Sequence, residues 1–261
     1  MKKTALLAAA AALAAASPAA AGGGYLGLNY NTGESSILLG QADSTGWQGE
    51  GAVGFGGSGW GAQLNAAIGS QDIDDFGLDF DTQSAAGHLW WTGSGWRLGG
   101  VIAYGKADAG SGIDIDDTVY GIEGTFDFGP NTVAFGSITT GNGDFAGADY
   151  DTTNFDVGLN FYSSPNIRFG GFIGTGNIDF GGGGDTDSMS YGLNAEFQPW
   201  SAPVSVVVGW NNYQIDDVNV DVDMFRIGAR WNFGGTTLRD RDNSTPFTTT
   251  TGVVNRTIGS W

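Results

Sequence analysis

Residues 225–233 read FRIGARWNF, a run in which apolar residues alternate with polar or small ones. Alternation with a period of two predicts a β-strand, because successive side chains of a strand point to opposite faces. One face would carry Phe225, Ile227, Ala229, Trp231 and Phe233, and the other Arg226, Gly228, Arg230 and Asn232. A strand of this kind requires an apolar medium on one side and a polar one on the other.

Similar runs recur along the chain with a regular spacing. Short turns rich in Gly, Ser and Pro return roughly every 36 residues, at 57–60, 93–96, 129–131, 163–166 and 200–203. Two alternating runs of about ten residues lie between successive turns, and longer Asp- and Gly-rich segments join their far ends. Tilted strands of about 9–11 residues with short turns at one end and longer loops at the other are typical of a transmembrane β-barrel. A soluble β-sandwich would lack this asymmetry.

The alternation predicts an all-β chain, a transmembrane antiparallel up-and-down β-barrel of about 12 strands. The predicted strands are Tyr25–Asn31, Trp47–Gly56, Trp60–Gly69, Thr82–Thr92, Trp96–Lys106, Asp117–Phe128, Thr132–Gly141, Asp151–Tyr162, Ile167–Gly176, Ser188–Gln198, Val204–Tyr213 and Val222–Phe233. The number of predicted strands ranges from 10 to 14, because the pattern in Gly33–Thr45 and in the C-terminal tail does not distinguish strand from loop. The predicted barrel comprises residues 22–233, and both ends of this chain segment fall on the short-turn side. Aromatic residues cluster near the strand ends, as they do in the interfacial girdles of membrane barrels.

The N-terminal residues predict export. A basic start, Met1–Lys3, precedes an Ala- and Leu-rich run and an A-x-A site that ends at Ala21. The run is too short to span a bilayer, so we expect residues 1–21 to be a cleaved signal peptide. The remaining chain has no cysteine, hence no disulfide, and no later apolar run of about 18 residues.

The composition excludes some partners. The formal net charge of −18 argues against nucleic acid. Most aspartates lie in the predicted long loops, where they form a solvated surface or bind divalent cations weakly. We expect no cofactor and no dedicated metal site.

Charges well inside the predicted strands fall on the polar row, which would face the lumen. These candidate pore-lining residues are Arg97, Arg168, Arg226, Arg230, Glu50, Glu123, Asp127, Asp156 and Glu196. They either neutralise one another in a filled lumen or form opposed basic and acidic walls of a water-filled channel. Glycines on the same row, such as Gly54, Gly99 and Gly158, would leave space and favour an open path.

The pattern resembles a Gram-negative outer-membrane porin-type β-barrel over roughly residues 22–233. The terminal strand that ends in Phe233 resembles the signal read by the barrel-assembly machinery, although residues 234–261 continue beyond it. We expect 234–261 to be a flexible periplasmic tail, similar to tails of small alphaproteobacterial porins. The resemblance implies outer-membrane lipid as surroundings and passive diffusion of small hydrophilic solutes or ions. The acidic charge of the loop rim predicts a preference for cations.

Two other functions remain open. Outer-membrane phospholipase is also a twelve-stranded barrel, but it needs a Ser–His pair on the outer wall. The alternation places the single histidine, His88, on the inward row. We therefore expect no catalytic residues and no enzyme. The other alternative is a plugged structural or surface-interaction barrel, which conductance would distinguish from a channel.

Overall fold

Twelve antiparallel strands close into a barrel in the computed structural model, which describes residues 22–37, 40–57, 59–74, 77–109, 114–181, 184–199, 202–217 and 220–247. Each strand pairs with the next along the chain, and β1 closes the barrel by pairing with β12. The predicted fold class and strand number are confirmed. The strands are β1 Gly23–Ile37, β2 Gly40–Gly57, β3 Trp60–Ile73, β4 Leu78–Gly93, β5 Trp96–Asp108, β6 Asp114–Asp127, β7 Thr132–Phe145, β8 Ala148–Ser164, β9 Ile167–Asp179, β10 Asp185–Phe197, β11 Val204–Ile215 and β12 Val220–Phe233.

Strand β12, which contains the run 225–233, has an apolar outward face and a polar inward face, as predicted. On β12, Phe225 and Trp231 are each 58% exposed, whereas Arg226 and Arg230 are buried. The same contrast holds around the barrel, where large apolar side chains are exposed outward and polar ones are buried inward. A lipid-facing charge near the bilayer centre costs roughly 2–4 kcal/mol, so this arrangement matches a membrane exterior. Among the described residues, no helix is both long and apolar enough to cross a bilayer.

The acidic connections differ from the prediction. Long loops of 10–15 residues were expected there, but two residues separate Ile37 from Gly40 and five separate Asp108 from Asp114. The strands instead continue beyond the apolar zone, and most of the aspartates lie on these extensions. Backbone pairing continues because the segments keep their alternation, and exposed carboxylates tolerate an extended backbone. The ambiguous segment Gly33–Thr45 likewise forms the outer ends of β1 and β2.

The described part of the segment after the last strand, residues 234–247, is folded and differs from the flexible periplasmic tail that we expected. Residues Leu238–Ser244 form a short helix, α1. Thr237 caps it, since its hydroxyl accepts a hydrogen bond from the backbone N–H of Asp240 at 3.1 Å. The first helical residue, Leu238, is fully buried. Residues 1–21, predicted to be a signal peptide, and 248–261 lie outside the described residues.

Candidate functional site

The C-terminal segment occupies the lumen at the short-turn end of the barrel. We call residues 236–247, with α1 at their centre, the plug. Its side chains contact inward-facing residues of strands on opposite walls, as shown below. It is polar and joined to the wall by hydrogen bonds and ion pairs.

The centre of the attachment is Glu196 on β10, a buried carboxylate that three arginines share. Arg241 of the plug reaches both its oxygens, at 2.5 and 2.9 Å. Arg168 on β9 and Arg230 on β12 approach it at 3.0 and 2.9 Å, and Ser205 donates a hydrogen bond. Bidentate charge-assisted contacts of this kind are strong and directional.

The next plug residue, Asp242, completes the network. It accepts hydrogen bonds from Arg168 at 2.9 Å and from the Tyr162 hydroxyl at 2.7 Å. Arg241 also bonds Asp242, at 2.6 Å. Both charges that the plug brings into this wall are therefore paired, as buried ions must be.

Other contacts tie the plug to the opposite wall. Arg239 pairs with Asp127 at 3.1 Å, and Asn243 accepts a hydrogen bond from Arg97 at 3.2 Å. The backbone of Phe247 exchanges two hydrogen bonds with the Gln63 side chain, at 2.6 and 3.2 Å. Its ring stacks on His88 with a centroid distance of 5.7 Å and an interplanar angle of 8°.

The nine candidate pore-lining residues lie on the inward face, and the structure divides them into groups. Arg168, Arg230 and Glu196 meet at the plug, and Arg97 and Asp127 meet 3.9 Å apart on the other side of it. Glu50 lies beside Arg230, at 2.7 Å, and Arg226, at 3.8 Å. Their role in lining a conducting pore stays a prediction.

Two of the nine lie apart from these groups. Glu123 contacts His88 at 2.7 Å, and Asp156 accepts a hydrogen bond from Ser137 at 3.3 Å. His88 is buried on the inward face.

Sequence reasoning missed the plug's own residues. Arg241, Asp242 and Phe247 lie in the segment that was read as a tail, and Tyr25 on β1 was not singled out. The ring of Tyr25 lies under Arg230 and Arg241, at 4.4 and 5.2 Å from the guanidinium carbons. The only local signal was the run Arg239–Asp242, in which charges alternate in sign behind a Thr that suits a helix N-cap.

The lumen glycines do not leave an open path, contrary to the sequence argument. A β-carbon at Gly54 would collide with the backbone oxygen of Ser244 in the plug. One at Gly99 would collide with Trp90, and one at Gly158 with Phe135. The missing side chains at these positions thus make room for neighbouring residues and for the plug.

The opposite end of the lumen is narrowed by apolar side chains. Tyr150, Ile178, Tyr213 and Ile215 form a buried cluster there, with Phe180 packed against it. Such an inward apolar constriction can oppose the passage of ions.

Carboxylates surround this end on the outside. The rim aspartates, as we call the exposed ones on strand extensions, are Asp43, Asp72, Asp79, Asp81, Asp149, Asp151, Asp179, Asp185 and Asp187. Asp179 lies directly opposite both Asp151 and Asp185, an unfavourable pairing of like charges. Near them, a hydrogen bond to Asp114 raises the pKa of Lys106. Within the described ranges, no three Asp, Glu or His side chains converge as metal ligands would.

Comparison with solved structures identifies the architecture. The translocator domain of the autotransporter NalP from Neisseria meningitidis aligns with 88% of this chain and 97% of its own, at 13% identity and a TM-score of 0.56. An outer-membrane channel from Pseudomonas putida F1 aligns over 82% and 95% of the two chains, at 9% identity and a TM-score of 0.57. The β-domain of the Bordetella autotransporter BrkA aligns with 81% of this chain and 99% of its own, at 13% identity and a TM-score of 0.52.

The fold is that of a Gram-negative outer-membrane β-barrel. Together with the apolar exterior, it places the protein in the outer membrane. Comparison with protein-family models and with curated proteins gave no match. At these identities the structural likeness establishes the fold, and function has to be argued from the lumen.

Proposed function

We propose that the protein is an outer-membrane channel for small hydrophilic solutes or ions, closed in the state described here by its own C-terminal plug. The proposal rests on the charged contacts that hold the plug against the barrel wall. Glu196 and Arg168 are charged groups of the barrel wall that the plug satisfies through Arg241 and Asp242. When the plug leaves, the same wall presents both signs of charge to water, as the wall of a hydrophilic pore does.

The filled, structural barrel is the second candidate, and one observation favours it. Inward residues far from the plug, such as Val119 and Thr139, are at most 1% exposed. The lumen is therefore packed beyond the plug itself. Under this alternative the outer end of the barrel, with its rim aspartates, would be the functional surface.

We do not propose an enzyme. The buried, inward position of His88, its contact with Glu123 and its stacking on Phe247 support a structural role. Lipid that surrounds the barrel contacts its outer wall, on the other side of the sheet.

The test compares the mature chain with a variant that ends at Gly235 and so lacks the plug. Single-channel currents are recorded in planar bilayers after refolding, and circular dichroism verifies the β-barrel. We expect brief, rare openings from the full chain and sustained discrete steps from the shortened one. A well-folded shortened barrel without conductance would reject the channel and leave the structural barrel.

A reversible lock supplies the matched control. A β-carbon at Gly22 would lie 3.8 Å from the Ser244 β-carbon, within the roughly 3.5–4.5 Å that a disulfide spans. The chain has no cysteine of its own, so Gly22→Cys with Ser244→Cys creates a single defined pair. We expect the oxidised form to remain closed and reduction to restore wild-type openings. Equal openings in both redox states would show that the plug does not control the current.

A further inference from the structure

Above the plug, the lumen holds a small cavity with an unusual lining. The cavity has a volume of about 50 Å³ and lies between the plug residues Arg241 and Phe247 and the wall residues Arg226, Arg168 and Phe172. At about 10–15 Å³ per water molecule on this measure, it has room for three or four waters or for one small solute.

The guanidinium group of Arg226 is incompletely satisfied. Its Nε and Nη1 atoms are buried and have no hydrogen-bond partner among the described residues. The nearest carboxylate oxygen, on Glu50, is 3.8 Å from Nη1, which is beyond hydrogen-bonding distance. Glu50 is held instead by Arg230, at 2.7 and 2.8 Å. A buried charge without hydrogen bonds is expensive, so this site requires a further partner.

A second guanidinium group has the same deficit. The Nε atom of Arg168, which also lines the cavity, is buried and lacks a partner among the described residues. Its two Nη atoms are engaged by Glu196 and Asp242. Three unpaired guanidinium nitrogens therefore belong to two arginines that line one cavity.

The local charge count points to the sign of the missing partner. Four guanidinium groups form the cluster: Arg168, Arg226, Arg230 and Arg241. Three carboxylates oppose them: Glu50, Glu196 and Asp242. One monovalent anion would balance the cluster.

We propose that this cavity is a binding site for a small monocarboxylate of the size of acetate. The unpaired N–H groups of Arg226 can donate charge-assisted hydrogen bonds to a carboxylate group. The rings of Phe135 and Phe172, which also line the cavity, offer an apolar wall for the carbon end. Binding takes place in the closed barrel and does not depend on conduction, so the site goes beyond the proposed channel function.

The test titrates sodium acetate into the refolded full-length barrel in micelles by isothermal calorimetry, with sodium gluconate keeping the ionic strength constant. Gluconate is itself a carboxylate but too large for the cavity. We expect saturable binding of one acetate per barrel. Arg226→Met should weaken it at least tenfold, and Arg226→Lys, which keeps the charge but not the guanidinium group, should weaken it less. Lys106→Met removes a cation that is paired with Asp114 near the opposite end of the barrel and should leave the affinity unchanged.

Absence of saturable heat in the wild type, or equal affinity in Arg226→Met, overturns the proposal. If Arg226→Met fails to fold, Arg226→Lys decides between the outcomes. The conductance test is separate: a shortened barrel that conducts while the full chain binds no acetate leaves the channel standing and removes the anion site.

Discussion

Replacement of Glu196 by Gln tests how the plug is held. The substitution keeps the shape of the side chain but removes the charge that Arg241 contacts through two nitrogens, at 2.5 and 2.9 Å. Arg168 and Arg230 lose the same charge whether the plug is seated or released, so their loss largely cancels in the equilibrium between the two states. Arg241 differs, because it is buried when seated and hydrated when released.

The magnitude follows from that difference. Removal of one partner of a buried ion pair costs about 3–5 kcal/mol. Arg241 keeps Asp242 and Asn232 as partners, so we take the lower end, about 3 kcal/mol. At 1.4 kcal/mol per factor of ten, the ratio of released to seated plug rises about a hundredfold.

Single-channel recording measures this ratio as the open fraction, with Asp156→Asn as the matched control. Asp156 is also a buried inward carboxylate, but it accepts a hydrogen bond from Ser137 on the neighbouring strand. We expect a large rise for Glu196→Gln and none for the control. A folded Glu196→Gln barrel with the wild-type open fraction would refute the view that ion pairs at Glu196 seat the plug.

Further predictions concern the plug, the lipid face and the rim. Gly54→Val should displace the plug and raise the open fraction, because overpacking costs about 1–3 kcal/mol. Gly49→Val, on the outward row of the same strand, should leave the open fraction unchanged. Equal effects of the two variants would count against the close contact between Gly54 and Ser244. Leu193→Arg, at an outward position that is 64% exposed, should lower the free energy of unfolding in liposomes by roughly 2–4 kcal/mol; an unchanged urea midpoint would mean that Leu193 does not face lipid. Replacement of the rim aspartates by Asn should reduce cation preference in the plugless barrel, most at low salt, and an unchanged reversal potential would reject that role.

The barrel could be predicted from the sequence because its signals are local. Alternation with a period of two is visible within about ten residues, and β12 shows it without any knowledge of its neighbours. The same alternation predicts that Arg226 and His88 lie on the inward face, and both are buried there in the structure. The outer strand ends were missed because aspartate-rich segments look like loops, although their backbones pair with adjacent strands.

The plug was decided only by tertiary structure. A helix of seven residues has little stability by itself, and a polar segment after the last strand carries no sign of where it will lie. Its partners are remote in the chain: Glu196 is 45 residues from Arg241, Asp127 is 112 from Arg239, and Gln63 is 184 from Phe247. These groups meet only after β1 pairs with β12, because closure turns one row of every strand into a common interior. The alternation thus determined which side chains face inward, while closure of the barrel decided which of them find a charged partner there.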